Sequence, residues 1–385
     1  MTRPWAGLNV AKLAALAVLL TSLASGSAAQ MMTVKERDYW SVVEQYVKGD
    51  RKDAIAKIGA WKQKDLDSVL DSIEDIAKDA SKCKACDPSQ RFDNLPLRAA
   101  ILLHAQRDRT DRVSKMTERD GEPDCSVMPH GAAVERLVKV AALQPGGRDF
   151  VVQLSVVMSV DFRSLLCFLG AVRWADFGLQ TAPRHATLLV ARGIARETIG
   201  TTGYTEPVPT STFDGRGRTA MVMRSNEVKK EKELNEAREA FEEALAINPD
   251  QEEASLRLGR VLWRLGRSRE AEEPLKKALN GRESAIVYLA HLFLGRCLED
   301  RQDLKGAIDE YKAALLLRPE TQLGAMALAH ALSLRGETDA ARDVLEPVLG
   351  LAGRRRTVDP FWIYLMGPPD LSEALFEALR ADLVR

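Results

Sequence analysis

Residues 252–279 read EEASLRLGRVLWRLGRSREAEEPLKKAL. Leu258-Gly259 and Leu262 fall on one stripe of a first helix, and Ala271, Leu275 and Ala278 on one stripe of a second. Apolar residues three and four apart share a helix face. Two such helices pack closely when a small residue sits where the backbones approach and a large one fills the gap. The same stripes recur on either side. Second helices carry Ala237/Phe241/Ala244, Ala307/Tyr311/Ala314 and Ala341/Leu345/Val348, so that successive blocks are offset by 34, 36 and 34 residues. First helices carry Leu294-Gly295 with Leu298, and Leu328-Ala329 with Leu332. A fixed period of this length marks a repeat architecture, in which each hairpin buries its apolar face only against its neighbours.

These residues resemble the tetratricopeptide repeat, whose pattern has a Leu-Gly pair, an Ala, a large apolar residue, a second Ala and a closing Pro, here Pro249 and Pro319. Ser255, His291 and Ala325 stand where that family often has Trp, and Glu283 stands in place of one Pro. The resemblance covers residues 234–350. It implies an all-α fold, an α-solenoid of antiparallel helix hairpins wound as a right-handed superhelix, and a role in binding a protein or peptide partner rather than in catalysis.

Working outward, residues 223–350 are expected to form the repeat array and residues 132–199 degenerate copies, with Ala133/Leu137/Val140/Pro145 and Ala171/Ala175/Gly178/Pro183 keeping the second-helix spacing. Residues 188–198, LLVARGIARET, look like a first helix whose partner is pushed downstream by a flexible insertion over 200–222, rich in Gly, Pro, Thr and Ser. Residues 30–110 read as N-terminal helical hairpins, with Tyr39, Val42, Val43 and Tyr46 before Gly49 and Ala54/Ile58/Trp61 after it, and 111–131 as a loop. Residues 351–385 are expected to cap the array. In them Phe361-Trp362-Ile363-Tyr364 would seal the last hairpin, and Asp370 with Glu373 would start a helix carrying Leu371, Leu375 and Leu379 on one face.

Lys and Arg number 55 against 55 Asp and Glu, so no global field selects nucleic acid or a membrane surface as partner. Residues 1–29 have the layout of a signal peptide: Arg3 and Lys12, an apolar run LAALAVLLTSL over 13–23, and small residues ending Ser27-Ala28-Ala29 before Gln30. The run is shorter than the roughly 20 residues that span a bilayer. The expectation is therefore an exported protein, periplasmic or secreted, with no stable membrane span once residues 1–29 are removed; a start at Met31 or Met32 would instead make it cytosolic.

No catalytic motif is present, no cofactor is expected, and chemistry is sought instead among five cysteines. Cys83 and Cys86, in a polar stretch, form a disulfide candidate. With Cys125 and His130 they could instead supply four tetrahedral metal ligands, and a redox or metal-binding protein scaffolded by the repeats is the alternative function. Cys167 and Cys297, in apolar patterns, read as core thiols.

Projection of the first helices places Leu256, Arg260 and Trp263 opposite the buried stripe of one block, Leu292 and Arg296 in the next, and Met326 and His330 in the third. A basic or ionisable row, Arg260, Arg296 and His330, thus runs beside an apolar one, Leu256, Leu292 and Met326, as a trough for an extended peptide bearing a carboxylate. The plainer reading is that Arg296 pairs with Glu299 or Asp300 on its own helix.

Overall fold

The computed structural model describes residues 34–82, 94–117, 125, 129–142, 147–203, 211–213, 219–221, 230–349, 359–366 and 371–384. Residues 1–29, Cys83, Cys86 and Asp370 lie outside them. The described residues are almost entirely helical and fall into two compact units, Met1–Val157 with Ser372–Arg385, and Met158–Leu371.

The first unit contains α1 (Val34–Lys48), α2 (Arg51–Gly59), α3 (Gln63–Lys82), α4 (Asn94–Thr117), α5 (Pro129–Ala141) and the start of α6 (Gly147–Ser164). Tyr39 and Tyr46 are buried between α1 and α4, and each hydroxyl finds the partner that burial demands: Tyr39 meets His104 Nε2 at 3.0 Å, and Tyr46 donates to Gln106 at 2.6 Å. Helix α4 runs to Thr117, well into the stretch expected as loop. Its charged end is held by the i,i+4 ion pairs Arg107–Asp111 and Arg112–Asp108, the second of them buried.

The last helix of this unit, α17 (Leu371–Val384), corrects the expectation of a cap on the array: its residues from Ser372 onward belong with the N-terminal helices. Arg109 binds Glu373 at 2.9 Å and Arg51 pairs with Glu377. The face it buries carries Ser372, Phe376 and Leu379, so of the expected Leu371/Leu375/Leu379 stripe only Leu379 is fully covered.

The second unit continues through α7 (Phe168–Thr181), α8 (Ala186–Thr202), α9 (Lys230–Ile247), α10 (Glu252–Arg264), α11 (Ser268–Ala278), α12 (Ser284–Asp300), α13 (Leu304–Leu317), α14 (Gln322–Leu334), α15 (Thr338–Leu349) and α16 (Pro360–Met366). Helices pair in order as α8/α9, α10/α11, α12/α13 and α14/α15, and each pair packs on the next. This is the α-solenoid of helix hairpins. Where the sequence predicts only a flexible insertion, β1 (Ser211–Phe213) and β2 (Thr219–Met221) pair as a short antiparallel ribbon.

Close helix approach explains the repeated small residues. A Cβ on Gly259 would stand 2.4 Å from Leu275, one on Gly295 2.3 Å from Tyr311, and one on Gly193 2.6 Å from Phe241. The third contact puts α8/α9 in the same packing scheme across the insertion. The turns repeat as well. Gly266, Gln302 and Gly336 each have positive φ, and the next residue donates back to Leu262, Leu298 and Leu332 respectively. This is the left-handed helix ending that glycine favours. Leu166 makes the same turn, with Cys167 donating to Phe162 at 2.8 Å, and so does Gly49, with Asp50 donating to Gln45 at 3.2 Å.

Candidate functional site

The first helices α8, α10, α12 and α14 supply the face expected to form a trough, and the structure divides the predicted residues in two. Leu256, Leu292 and Arg260 are buried, with Arg260 only 4% exposed. Met326 is 60% exposed, and the side chains of His330 and Arg296 are 55% and 37% exposed. Trp263 lies between the two groups, stacked on Phe293 and donating to Asp300 at 2.7 Å.

Arg260 is therefore not a free carboxylate receptor. It already holds the chain's own Glu197, a buried side chain of α8, at 2.6 Å. Arg257, one turn before Arg260, reaches the other oxygen of Glu197 at 2.9 Å, and the Tyr364 hydroxyl donates to Glu197 at 2.6 Å. Burial alone would raise the Glu197 pKa; Arg260 and Arg257, with the hydrogen bonds from Tyr364 and Arg260, outweigh it and hold the carboxyl below its ordinary range. Burial and the adjacent anion push the Tyr364 phenol well above its usual value, so it stays a donor. Helical projection missed this arrangement because it treats one helix at a time, and Glu197 arrives from another. The signal was a single glutamate inside the apolar run LLVARGIARETIG.

Tyr364 comes from α16, which corrects the expectation that Phe361–Tyr364 seals the last hairpin. Helix α16 packs against α12 instead. Asp359 caps it, accepting from Phe361 N at 3.0 Å, and its other oxygen accepts from Leu323 N at the start of α14 and from the Tyr288 hydroxyl of α12. Phe361 and Tyr364 stack on each other and meet Phe293 edge-on, with centroids 6.5 and 5.8 Å away. Arg257 donates to the Tyr364 carbonyl at 2.9 Å, with its guanidinium 4.0 Å from the Tyr364 ring centroid. The segment 359–364 thus touches α14, α12, α10 and α8 in turn. An aromatic run between two prolines looks like a plug for the nearest hairpin; its polar partners, spread over four helices up to eight helices earlier, left no local trace.

At the other end, Arg296 donates to Glu299 at 2.7 Å, as the plainer reading expected, and His330 Nδ1 lies 3.1 Å from the same carboxylate. Tyr311 donates to it at 3.0 Å. At the buried end, Arg257 also donates to Glu253, one turn earlier on α10, at 2.9 Å. Arg163, in the last turn of α6, is buried with its Nη1 unpartnered, and burial together with Arg257 lowers its pKa to about 10. Arg260 Nε is likewise buried without a partner.

The cysteines depart from expectation. Cys125 and Cys167 are each disulfide-bonded. Cys167 follows Leu166 at the turn before α7 rather than lying inside a helix, so its apolar surroundings did not make it a core thiol. In its bonded state Cys125 has no thiolate to offer the four-ligand set with Cys83, Cys86 and His130. Cys297 is a free buried thiol, as expected, and burial pushes its pKa up to about 12.

Residues 229–286 match the family model of the tetratricopeptide repeat. Residues 229–286 carry the tetratricopeptide repeat. No curated protein matches the chain in sequence. Among solved structures, a crystal structure of MamA protein is similar at 16% identity, over 52% of this chain and 91% of that one, with a TM-score of 0.39. A MamA fragment from Desulfovibrio magneticus RS-1, residue 41 to its end, shares 16% identity over 54% and 98% of the two chains, with a TM-score of 0.41. Pseudomonas aeruginosa PilF shares 16% over 62% and 90%, with a TM-score of 0.42. Among the described residues of this repeat protein, no helix is long and apolar enough to cross a membrane.

Proposed function

We propose that the chain is an exported, non-catalytic scaffold whose repeat trough binds a protein or peptide partner. The observation that carries the reading is the uncovered end of the trough, where Met326 and His330 share one face of α14 beside Arg296. An exposed methionine offers adaptable apolar contact, and Arg296 and His330, which share Glu299 but stay partly in water, keep further donors for an acidic partner. Tetratricopeptide repeats present such faces as rigid surfaces, which suits recognition. Export is supported by the layout of residues 1–29 and by the disulfides at Cys125 and Cys167, because such bonds persist in oxidising compartments such as the periplasm or the extracellular medium.

A photo-crosslinking side chain placed at Met326 in the native host tests the trough, with Arg342, exposed on α15, as the comparison site. A discrete protein adduct from the first position and none from the second is the expected result. Identical adducts from both positions, or none from either, sink the reading. Export predicts a mature N-terminus within a residue or two of Gln30, and intact Met1 in a soluble cytosolic fraction overturns it.

A further inference from the structure

We infer that the segment Asp359–Tyr364 is an intramolecular occupant of the trough, and that the trough's partner is a peptide of the same chemistry: an acidic residue, an aromatic two positions later, and a tyrosine three beyond that. The inference rests on the reading of this face as the binding surface and adds what it recognises.

Three features distinguish this contact from ordinary core packing. The first is its chemistry. Each anchor of the segment is met by a directional group: Asp359 by Leu323 N and the Tyr288 hydroxyl, the Tyr364 carbonyl by Arg257, and the Tyr364 hydroxyl by Glu197. Tyrosine, arginine and phenylalanine set in pockets are the side chains through which protein interfaces concentrate recognition. Buried charges such as Glu197 with Arg257 and Arg260 add little net stability over an apolar core and much selectivity against ligands that leave them unpaired.

The second is continuity. The segment crosses the first helices from α14 to α8, and α14, on which Asp359 is seated, goes on to the uncovered Met326 and His330. The third is incomplete satisfaction. Arg163 Nη1 and Arg260 Nε remain buried without acceptors while the segment is in place. They are two of ten such side-chain atoms among the described residues, and both belong to side chains that act on Glu197. A partner that supplies a further acceptor there would displace the chain's own segment.

The test uses full-length protein and a fluorescent peptide with the sequence of residues 357–367, TVDPFWIYLMG. Wild type should bind it weakly because the seat is filled. Phe361→Ala with Tyr364→Ala, which weakens the internal segment, should bind it at least tenfold more tightly. Tyr364→Phe alone, the gentler change, should give a smaller gain in the same direction and serves if the double variant does not fold. A peptide with phenylalanine in place of its tyrosine should lose part of the gain, since Glu197 then keeps Arg257 and Arg260 but loses the tyrosine hydroxyl. Equal binding by wild type and folded variants, no binding by either variant, or indifference to the peptide's tyrosine overturns the inference. So does a stable dimer forming in place of peptide binding, which would give the seat to a second copy. Crosslinking at Met326 reports separately on the open end: adducts there without peptide binding would keep the binding surface and discard the proposed motif.

Discussion

Glu197 and Glu299 are two answers to one problem. Each lies on a first helix of the array, and each collects two basic side chains and a tyrosine hydroxyl: Arg257, Arg260 and Tyr364 for Glu197, and Arg296, His330 and Tyr311 for Glu299. The difference is where the tyrosine originates. Tyr311 belongs to the hairpin partner of the helix that carries Glu299 and His330 to the first helix of the next hairpin, so that cluster is assembled between neighbouring repeats, and its Arg296 and His330 side chains stay partly in water. Tyr364 arrives from a segment beyond the array and buries both arginines on arrival. One carboxylate joins two adjacent repeats; the other is a junction between distant parts of the chain.

The largest expected effect separates these roles directly. Glu197→Ala strands Arg260 in the interior and leaves Arg257 with Glu253 and the Tyr364 carbonyl, and should cost about 3–5 kcal/mol, as removal of one partner from a buried ion pair does. Glu299→Ala leaves mainly the Tyr311 hydroxyl without an acceptor and should cost about 1–2 kcal/mol. Chemical denaturation of the two variants checks the order, and a reversed order would break the comparison.

The contrast extends to acid. The folded pKa of Glu197 is depressed, so its contribution is fully present above the ordinary glutamate range and lost as pH falls through the lower folded value. Stability of wild type should therefore fall more steeply on the acid side than that of Glu197→Gln, measured by thermal melts between pH 6 and about 2.5. Parallel curves would place the titrating carboxylate elsewhere.

These two clusters also mark how far the sequence could be read. The array was legible because each repeat writes its own packing: Gly259 against Leu275 and Gly295 against Tyr311 are encoded within a hairpin. The pairing of Arg296 with Glu299 follows from a separation of three residues on one helix. Nothing in residues 257–260 announces Glu197, some 60 positions earlier, or Tyr364, more than 100 later, because charge complementarity across such distances has no periodicity. The turns behave in the same way. Gly266 and Gly336 declare a left-handed helix ending, while Leu166 and Gln302 adopt it without the residue that advertises it.

Smaller effects sharpen the comparison. Arg296→Ala combined with His330→Ala should change stability by less than about 1 kcal/mol, and added salt should reduce even that, because both side chains are solvated. A larger loss would mean that the open end is as deeply structural as the closed one. Gln302, whose amide donates to the Glu299 carbonyl at 2.9 Å, has φ +65°. Gln302→Gly should stabilise the array by about 0.5–1 kcal/mol by relieving the left-handed conformation, read as a shift in denaturation midpoint.

The placement of α17 sets the order in which the chain can mature. Residues from Ser372 onward complete the first unit, yet Met158–Leu371 must be synthesised before them. At about 5–20 residues per second, this leaves the N-terminal helices without their last member for roughly 10–40 s of synthesis. Throughout that interval the surfaces destined for Phe376 and Leu379 stand open to water, so chaperone capture of the nascent N-terminal helices should persist until residues 372–384 have been made.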